Sequence, residues 1–101
     1  MNPPEDWIEI INKKRYATKT SLLLAGDDIW DGQSWERKGR NIFLYRTQKG
    51  NFFAIHLSRW KGETNHLEPL DEDEAISLYE QLPEKRLGFE EAFPDVEIED
   101  A

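Results

Sequence analysis

The chain has 101 residues and a formal net charge of -8, and 38% of its residues are hydrophobic, so it is long enough for one domain and too apolar for a disordered acidic chain. It contains no cysteine, which excludes disulfides, thiol nucleophiles and thiolate metal sites. Because it has no apolar run of about 18 residues and no signal-peptide pattern, we expect a cytoplasmic protein without a membrane-spanning helix.

The N-terminal third predicts a β-hairpin. Two apolar or aromatic runs, residues 7–11 and 15–18, flank the turn-like sequence Asn12-Lys13-Lys14. Pro4-Glu5-Asp6 before the first run could instead open a helix. We favour the hairpin and leave the helix as the alternative.

The next segment is ambiguous. Residues 21–25 are apolar but too few for periodicity to separate a strand from a helix. Residues 26–40 predict a long loop or a loose hairpin that contains Trp30 and Trp35, and the sequence leaves open whether these tryptophans lie in the core or on the surface.

Asp27 and Asp28 begin a run that is similar to a calcium-binding loop. Ile29 stands at a ligand position, and Lys38 stands where the bidentate glutamate is required, so the match fails. We therefore interpret both aspartates as turn formers with solvated charges.

The strongest strand signal lies in the middle of the chain. Residues 41–47 and 51–58 are rich in aromatic and β-branched side chains, and they are joined by Gln48-Lys49-Gly50, which predicts a hairpin with glycine in the turn. Both strands carry large apolar groups on both faces, which is typical of strands at the centre of a covered sheet.

The C-terminal part predicts a strand followed by a helix. Asn65–Leu70 is a short strand candidate, and Asp71 with Glu74 forms a candidate capping box. Four apolar residues then follow at helical spacing, and Pro83 ends the helix: Ala75, Leu78, Tyr79 and Leu82. A helical turn is expected at Phe89–Phe93.

These elements predict an α+β fold in which a small antiparallel sheet of four or five strands is packed by one or two C-terminal helices. We expect a single domain over residues 7–94 and an acidic flexible tail over residues 95–101.

The residues that carry chemistry are few. His56 and Ser58 share one strand face, but no carboxylate partner is readable nearby, so a nucleophilic triad is not supported. His56 and His66 are the only histidines, and without cysteine they make a poor transition-metal site. We predict no catalytic residue, no cofactor and no metal site, and hence no enzyme.

Charge is unevenly distributed along the chain. Residues 1–61 carry eleven basic and seven acidic side chains, and residues 62–101 carry two basic and fourteen acidic ones. We expect a protein-docking module, with Arg59-Trp60-Lys61-Gly62 as its preferred patch, because tryptophan and arginine often dominate interfaces. The alternative that Trp60 covers the edge of the core stays open. The candidate partner-surface residues are Trp30, Trp35, Arg46, Lys49, Arg59, Trp60 and Lys61.

Two alternatives use the charges differently. The basic aromatic hairpin Arg40–Lys61 could bind nucleic acid by stacking bases beside phosphate contacts. The acidic helix and tail could instead imitate nucleic acid and inhibit a partner that binds it. A membrane partner is not expected.

Several short motifs resemble a small uncharacterised bacterial family. They are Tyr16-Ala17-Thr18, the hairpin Leu44–Phe53 in the pattern L-Y-x-T-x-K-G-x-F-F, the helix start Pro69–Ala75 in the pattern P-L-x-x-x-E-A, and Phe93-Pro94. The resemblance implies a small antiparallel sheet with C-terminal helices. It implies no activity.

Overall fold

The computed structural model describes residues 2–28 and 39–101, which form seven β-strands and two α-helices. The strands are β1 Ile8–Ile11, β2 Lys14–Ala17, β3 Leu22–Gly26, β4 Arg40–Arg46, β5 Phe52–Ser58, β6 His66–Leu70 and β7 Glu84–Lys85. The helices are α1 Glu72–Gln81 and α2 Phe89–Ala92, and the 3-10 turn Thr18–Thr20 follows β2. The predicted α+β fold class is confirmed.

Five of the strands form one antiparallel sheet in the order β6-β5-β4-β3-β7. β4 and β5 are the predicted central hairpin, paired without interruption from Arg40↔Ser58 to Arg46↔Phe52. Their turn contains Gly50 at φ +86°, a left-handed conformation that glycine adopts without steric cost. Residues 22–25 of the ambiguous segment belong to strand β3, and Ser21 precedes it. The two-residue strand β7 was not predicted.

The central strands present alternate residues to two separate cores. Ile42 and Leu44 pack with the helices, whereas Phe43 and Tyr45 belong to the core on the opposite face. This follows from the two-residue period of a strand. The large apolar groups on both faces therefore indicated two covering layers, one on each side of the sheet.

Helices α1 and α2 cover the first face. The predicted stripe is buried at Ala75 and Tyr79 of α1 and at Leu82, directly after it. Phe93, directly after α2, is 1% exposed and lies against Phe52 with ring centroids 5.3 Å apart. Val96 also packs on this core, so contacts with the helix-side core extend past residue 94.

The first turn of α1 is closed by the predicted capping box. Asp71 Oδ1 accepts a hydrogen bond from Glu74 N at 2.8 Å, and Glu74 Oε1 accepts one from Asp71 N at 3.0 Å. Two backbone N–H groups without intrahelical partners are thereby satisfied.

Replacing Asp71 with alanine is expected to lower the free energy of unfolding by about 1 kcal/mol, because the cap bond to Glu74 N is lost. Urea denaturation of the intact chain measures this change. Asp73→Ala is the matched control, since Asp73 is an exposed first-turn acid that interacts with the helix dipole. An equal loss in both variants would show that charge, and not capping, explains the effect.

The β1–β2 hairpin covers the second face as a separate two-stranded sheet. Asn12 and Lys13 form its turn, both with positive φ. Tyr16 meets Phe53 edge to face at 5.5 Å, and Tyr45 stacks on the same ring at 5.0 Å. Burial raises the pKa of Tyr45 to about 12. The hairpin prediction is confirmed, and the helix alternative for this segment is wrong.

The environment of Asp27 differs from the one that the sequence predicts. Its side chain is not a solvated loop charge: the residue is 8% exposed, and Oδ1 accepts hydrogen bonds from Asn41 Nδ2 and Ile42 N, both at 2.9 Å. Asp28 pairs with Arg86, whose Nη2 lies 2.7 Å from both carboxylate oxygens. The two aspartates therefore connect the end of β3 to β4 and to the segment after β7.

Candidate interaction surfaces

Trp60 lies in the connection between β5 and β6, at one end of the sheet. Arg59 N donates to Gly39 O at 2.9 Å, which extends the β4–β5 pairing by one step. Trp60 N donates to Ser58 Oγ at 3.0 Å, and Trp60 O accepts from Glu63 N at 3.1 Å. These bonds position the backbone of Trp60 although the segment is not part of a strand.

The indole ring of Trp60 is half exposed, with 53% of the residue accessible. Part of the ring rests on the backbone of Gly39, where an added Cβ would lie 3.2 Å from Trp60 Nε1. Gly39 also has a φ of +86°, so glycine is favoured here for both backbone conformation and space. The guanidinium of Arg40 lies 5.6 Å from the ring centroid, within cation–π range.

Arg40 in turn is held by Glu63 from the same connection. Arg40 Nε donates to Glu63 Oε1 at 3.0 Å and Nη2 donates to Oε2 at 2.6 Å, which is a bidentate pair. Ser58 Oγ also donates to Glu63. Hydrogen bonds from Arg40 and then Ser58 lower the pKa of Glu63, and the bond to Glu63 raises the pKa of Arg40. The ion pair with Glu63 therefore holds the guanidinium of Arg40 beside the ring of Trp60.

A cleft of about 510 Å³ lies beside this ion pair. It is on the helix-side face of the sheet, at the end where β4 begins with Arg40. Ile42 supplies apolar surface on this face, and Arg40 with Glu63 forms part of the charged edge. His56 and His66 stack across β5 and β6 at 4.5 Å, and His56 Nε2 lies 2.9 Å from Glu68 Oε1. Apolar surface within a polar edge is a common feature of protein interfaces.

Several polar side chains of this cleft already have hydrogen-bond partners. Ser58 Oγ contacts Glu63 and Trp60 N, while His56 contacts Glu68. Over residues 2–28 and 39–101, no group of three or more histidine, aspartate or glutamate side chains is arranged to hold a metal ion.

The candidate partner-surface residues fall at two ends of the sheet. Arg59 and Lys61 are exposed beside Trp60, whereas Lys49 is exposed in the β4–β5 turn. A seven-residue strand separates these ends by about 20 Å. Arg46 is half-buried on the helix side, and its Nη2 donates to Glu91 O at 3.3 Å. Trp30 and Trp35 lie outside the described residues.

The aromatic residues of the central hairpin are core residues. Phe43 and Phe53 are completely buried, and Tyr45 and Phe52 are at most 7% exposed. Their faces are occupied by other side chains and are closed to a nucleobase in this fold. Trp60 differs from these four in being half exposed.

A second surface was not predicted. The β1–β2 turn and the β4–β5 turn lie next to each other and enclose a cleft of about 390 Å³, called the basic cleft below. Its lining is Lys13, Lys14, Arg15, Thr20, Thr47, Gln48, Lys49 and Asn51. The run Lys13-Lys14-Arg15 was a visible signal, but the sequence does not show that Lys49 lies opposite it.

No helix among the described residues is long and apolar enough to cross a membrane.

No protein-family model matches this chain, and no solved structure matches it either. The resemblance to a small bacterial family therefore stays a prediction.

Proposed function

We propose that the chain is a non-catalytic interaction module, acting in the cytoplasm, that docks on an acidic protein surface through Trp60. The observation that carries this proposal is the half-exposed indole ring of Trp60, held in place by Gly39 and Arg40. A large apolar ring that is already positioned loses little conformational freedom when it is buried by a partner. Tryptophan at the centre of an interface commonly contributes about 2 kcal/mol or more to binding.

The charges around Trp60 favour an acidic partner. Arg59 and Lys61 flank the ring and are exposed, so this patch carries positive charge, and Lys61 can approach a carboxylate of a docking protein. Such charges at the edge of an interface mainly accelerate association and make it sensitive to salt. The neighbouring cleft offers the apolar surface of Ile42 to a side chain of the partner.

Affinity capture from a lysate of the source organism, followed by quantitative binding, tests the proposal. The tagged full chain is used with nuclease-treated and untreated lysate, and the captured protein is then purified. We expect a protein that is retained after nuclease treatment and whose affinity falls about thirtyfold or more with Trp60→Ala. Trp60→Phe is expected to restore part of the affinity, because it restores an aromatic ring.

The matched control is Leu22→Ala, which removes an exposed apolar side chain from β3, a strand remote from Trp60 in the sheet. Its expected effect on affinity is less than about twofold. Thermal melting of each variant shows that it is folded. Equal affinities of the wild-type chain and Trp60→Ala would contradict the proposal. Capture of nucleic acid from the untreated lysate, with no protein retained after nuclease treatment, would contradict it as well.

A further inference from the structure

The basic cleft concentrates positive charge on two walls. Lys13, Lys14 and Arg15 come from the β1–β2 turn, and Lys49 comes from the β4–β5 turn. All four side chains are exposed. Among the described residues, none of the four forms an ion pair with a carboxylate, and no acidic residue lines the cleft.

The backbone of both walls is well defined. Asn12 and Lys13 adopt positive φ in a two-residue turn between the paired residues Ile11 and Lys14. In the other wall, Thr47 O accepts from Gly50 N at 3.0 Å, and Thr47 N donates to Asn51 O at 2.8 Å.

One contact joins the two walls directly. Lys14 Nζ donates to Asn51 Oδ1 at 3.4 Å, so residues far apart in the chain meet across the cleft. The cations are therefore brought together by the fold, since the hairpin packs on the sheet through Tyr16 and Phe53.

The side chains that line the basic cleft indicate which class of ligand fits it. Apart from the four cations, the cleft presents hydroxyl and amide side chains from Thr20, Thr47, Gln48 and Asn51, and none of the described residues that line it is apolar or aromatic. Lysine and arginine donate charge-assisted hydrogen bonds to phosphate oxygens, and hydroxyl and amide groups can add neutral ones. A volume of about 390 Å³ lies within the range of small-molecule sites.

We propose that the basic cleft is a binding site for a compact polyphosphate anion, such as the di- or triphosphate group of a small molecule. A compact anion fits better than a nucleic-acid strand for two reasons. No residue that lines the cleft, within the part of the chain that the structure describes, offers an aromatic ring on which a base could stack. The chain also has a net charge of -8, which repels a long polyanion that extends beyond the cleft but acts less on one confined within it.

Calorimetric titration of the full chain tests this site, with inorganic tripolyphosphate as the probe and orthophosphate and a single-stranded oligothymidylate as comparison ligands. We expect saturable binding of one tripolyphosphate, at least about tenfold tighter than orthophosphate, because several charge-assisted contacts act together. The double variant Lys14→Gln/Lys49→Gln removes one cation from each wall and is expected to weaken tripolyphosphate binding about tenfold or more.

The control is Arg59→Gln/Lys61→Gln, which removes the same charge at the other end of the sheet and is expected to change the tripolyphosphate affinity by less than about twofold. Thermal melting without ligand checks that both double variants are folded. Equal weakening in the two variants would overturn the site in favour of diffuse attraction. Absence of saturable tripolyphosphate binding would overturn it as well, and tighter binding of the oligothymidylate would replace the small anion with nucleic acid.

Discussion

Replacing Phe53 with alanine is expected to lower the free energy of unfolding by about 3–5 kcal/mol. Phe53 is completely buried, and its ring contacts two residues at once. Tyr45 stacks on it at 5.0 Å within the sheet, and Tyr16 from the hairpin meets it at 5.5 Å. Its removal leaves a cavity at the junction of the two sheets. Because a domain of this size is stable by about 5–15 kcal/mol, this loss is a large part of the total.

Urea denaturation of the full chain measures this loss of stability, and two further variants serve for comparison. Phe53→Leu keeps most of the buried volume and is expected to lose less stability, which provides a measurement if the alanine variant does not fold. Ile8→Ala is the control on the hairpin, because Ile8 is 64% exposed, and its expected change is within about 0.5 kcal/mol. A comparable loss in Ile8→Ala and Phe53→Ala would show that the hairpin is not held through its buried face.

Replacing Asp27 with alanine is expected to lower the free energy of unfolding by about 1–3 kcal/mol, because Ile42 N loses its side-chain acceptor and Asn41 Nδ2 loses one of its bonds. Asn41 Nδ2 and Ile42 N both donate to Asp27 Oδ1, and Asn41 is completely buried. Asn41 Nδ2 keeps its bond to the backbone oxygen of Asp27 at 3.3 Å, so the expected loss comes mainly from the backbone N–H of Ile42, at about 1–3 kcal/mol for a donor whose acceptor is removed. The same replacement is expected to accelerate amide hydrogen exchange at Ile42, which lies at the start of β4.

Asp27→Asn separates hydrogen bonding from charge. Its amide oxygen can still accept from Asn41 Nδ2 and Ile42 N, so we expect it to retain part of the stability that alanine loses. Stability by urea denaturation and exchange at Ile42 by NMR are measured on the same three proteins. If Asp27→Ala is as stable as the wild-type chain, the buried hydrogen bonds of Asp27 do not stabilise the connection between β3 and β4.

The proposed interaction surfaces were predictable to different degrees. Trp60 and its basic neighbours are consecutive in the chain, so a local pattern was enough to single them out. The support beneath Trp60 was not visible, because Gly39 and Arg40 are about twenty residues away and reach it only when β4 pairs with β5. The basic cleft was missed for the same reason, since Lys14 and Asn51 meet only when the hairpin packs on the sheet.

By itself the sequence determined the local elements of this protein. The capping box at Asp71, the glycine turn at Gly50 and the apolar residues on both faces of the central strands each depend on a few neighbouring residues. Only the tertiary structure decided which layer covers each face, that β3 lies between β4 and β7, and that Asp27 is buried. These outcomes depend on contacts between residues far apart in the chain, which side-chain periodicity and turn propensity do not encode.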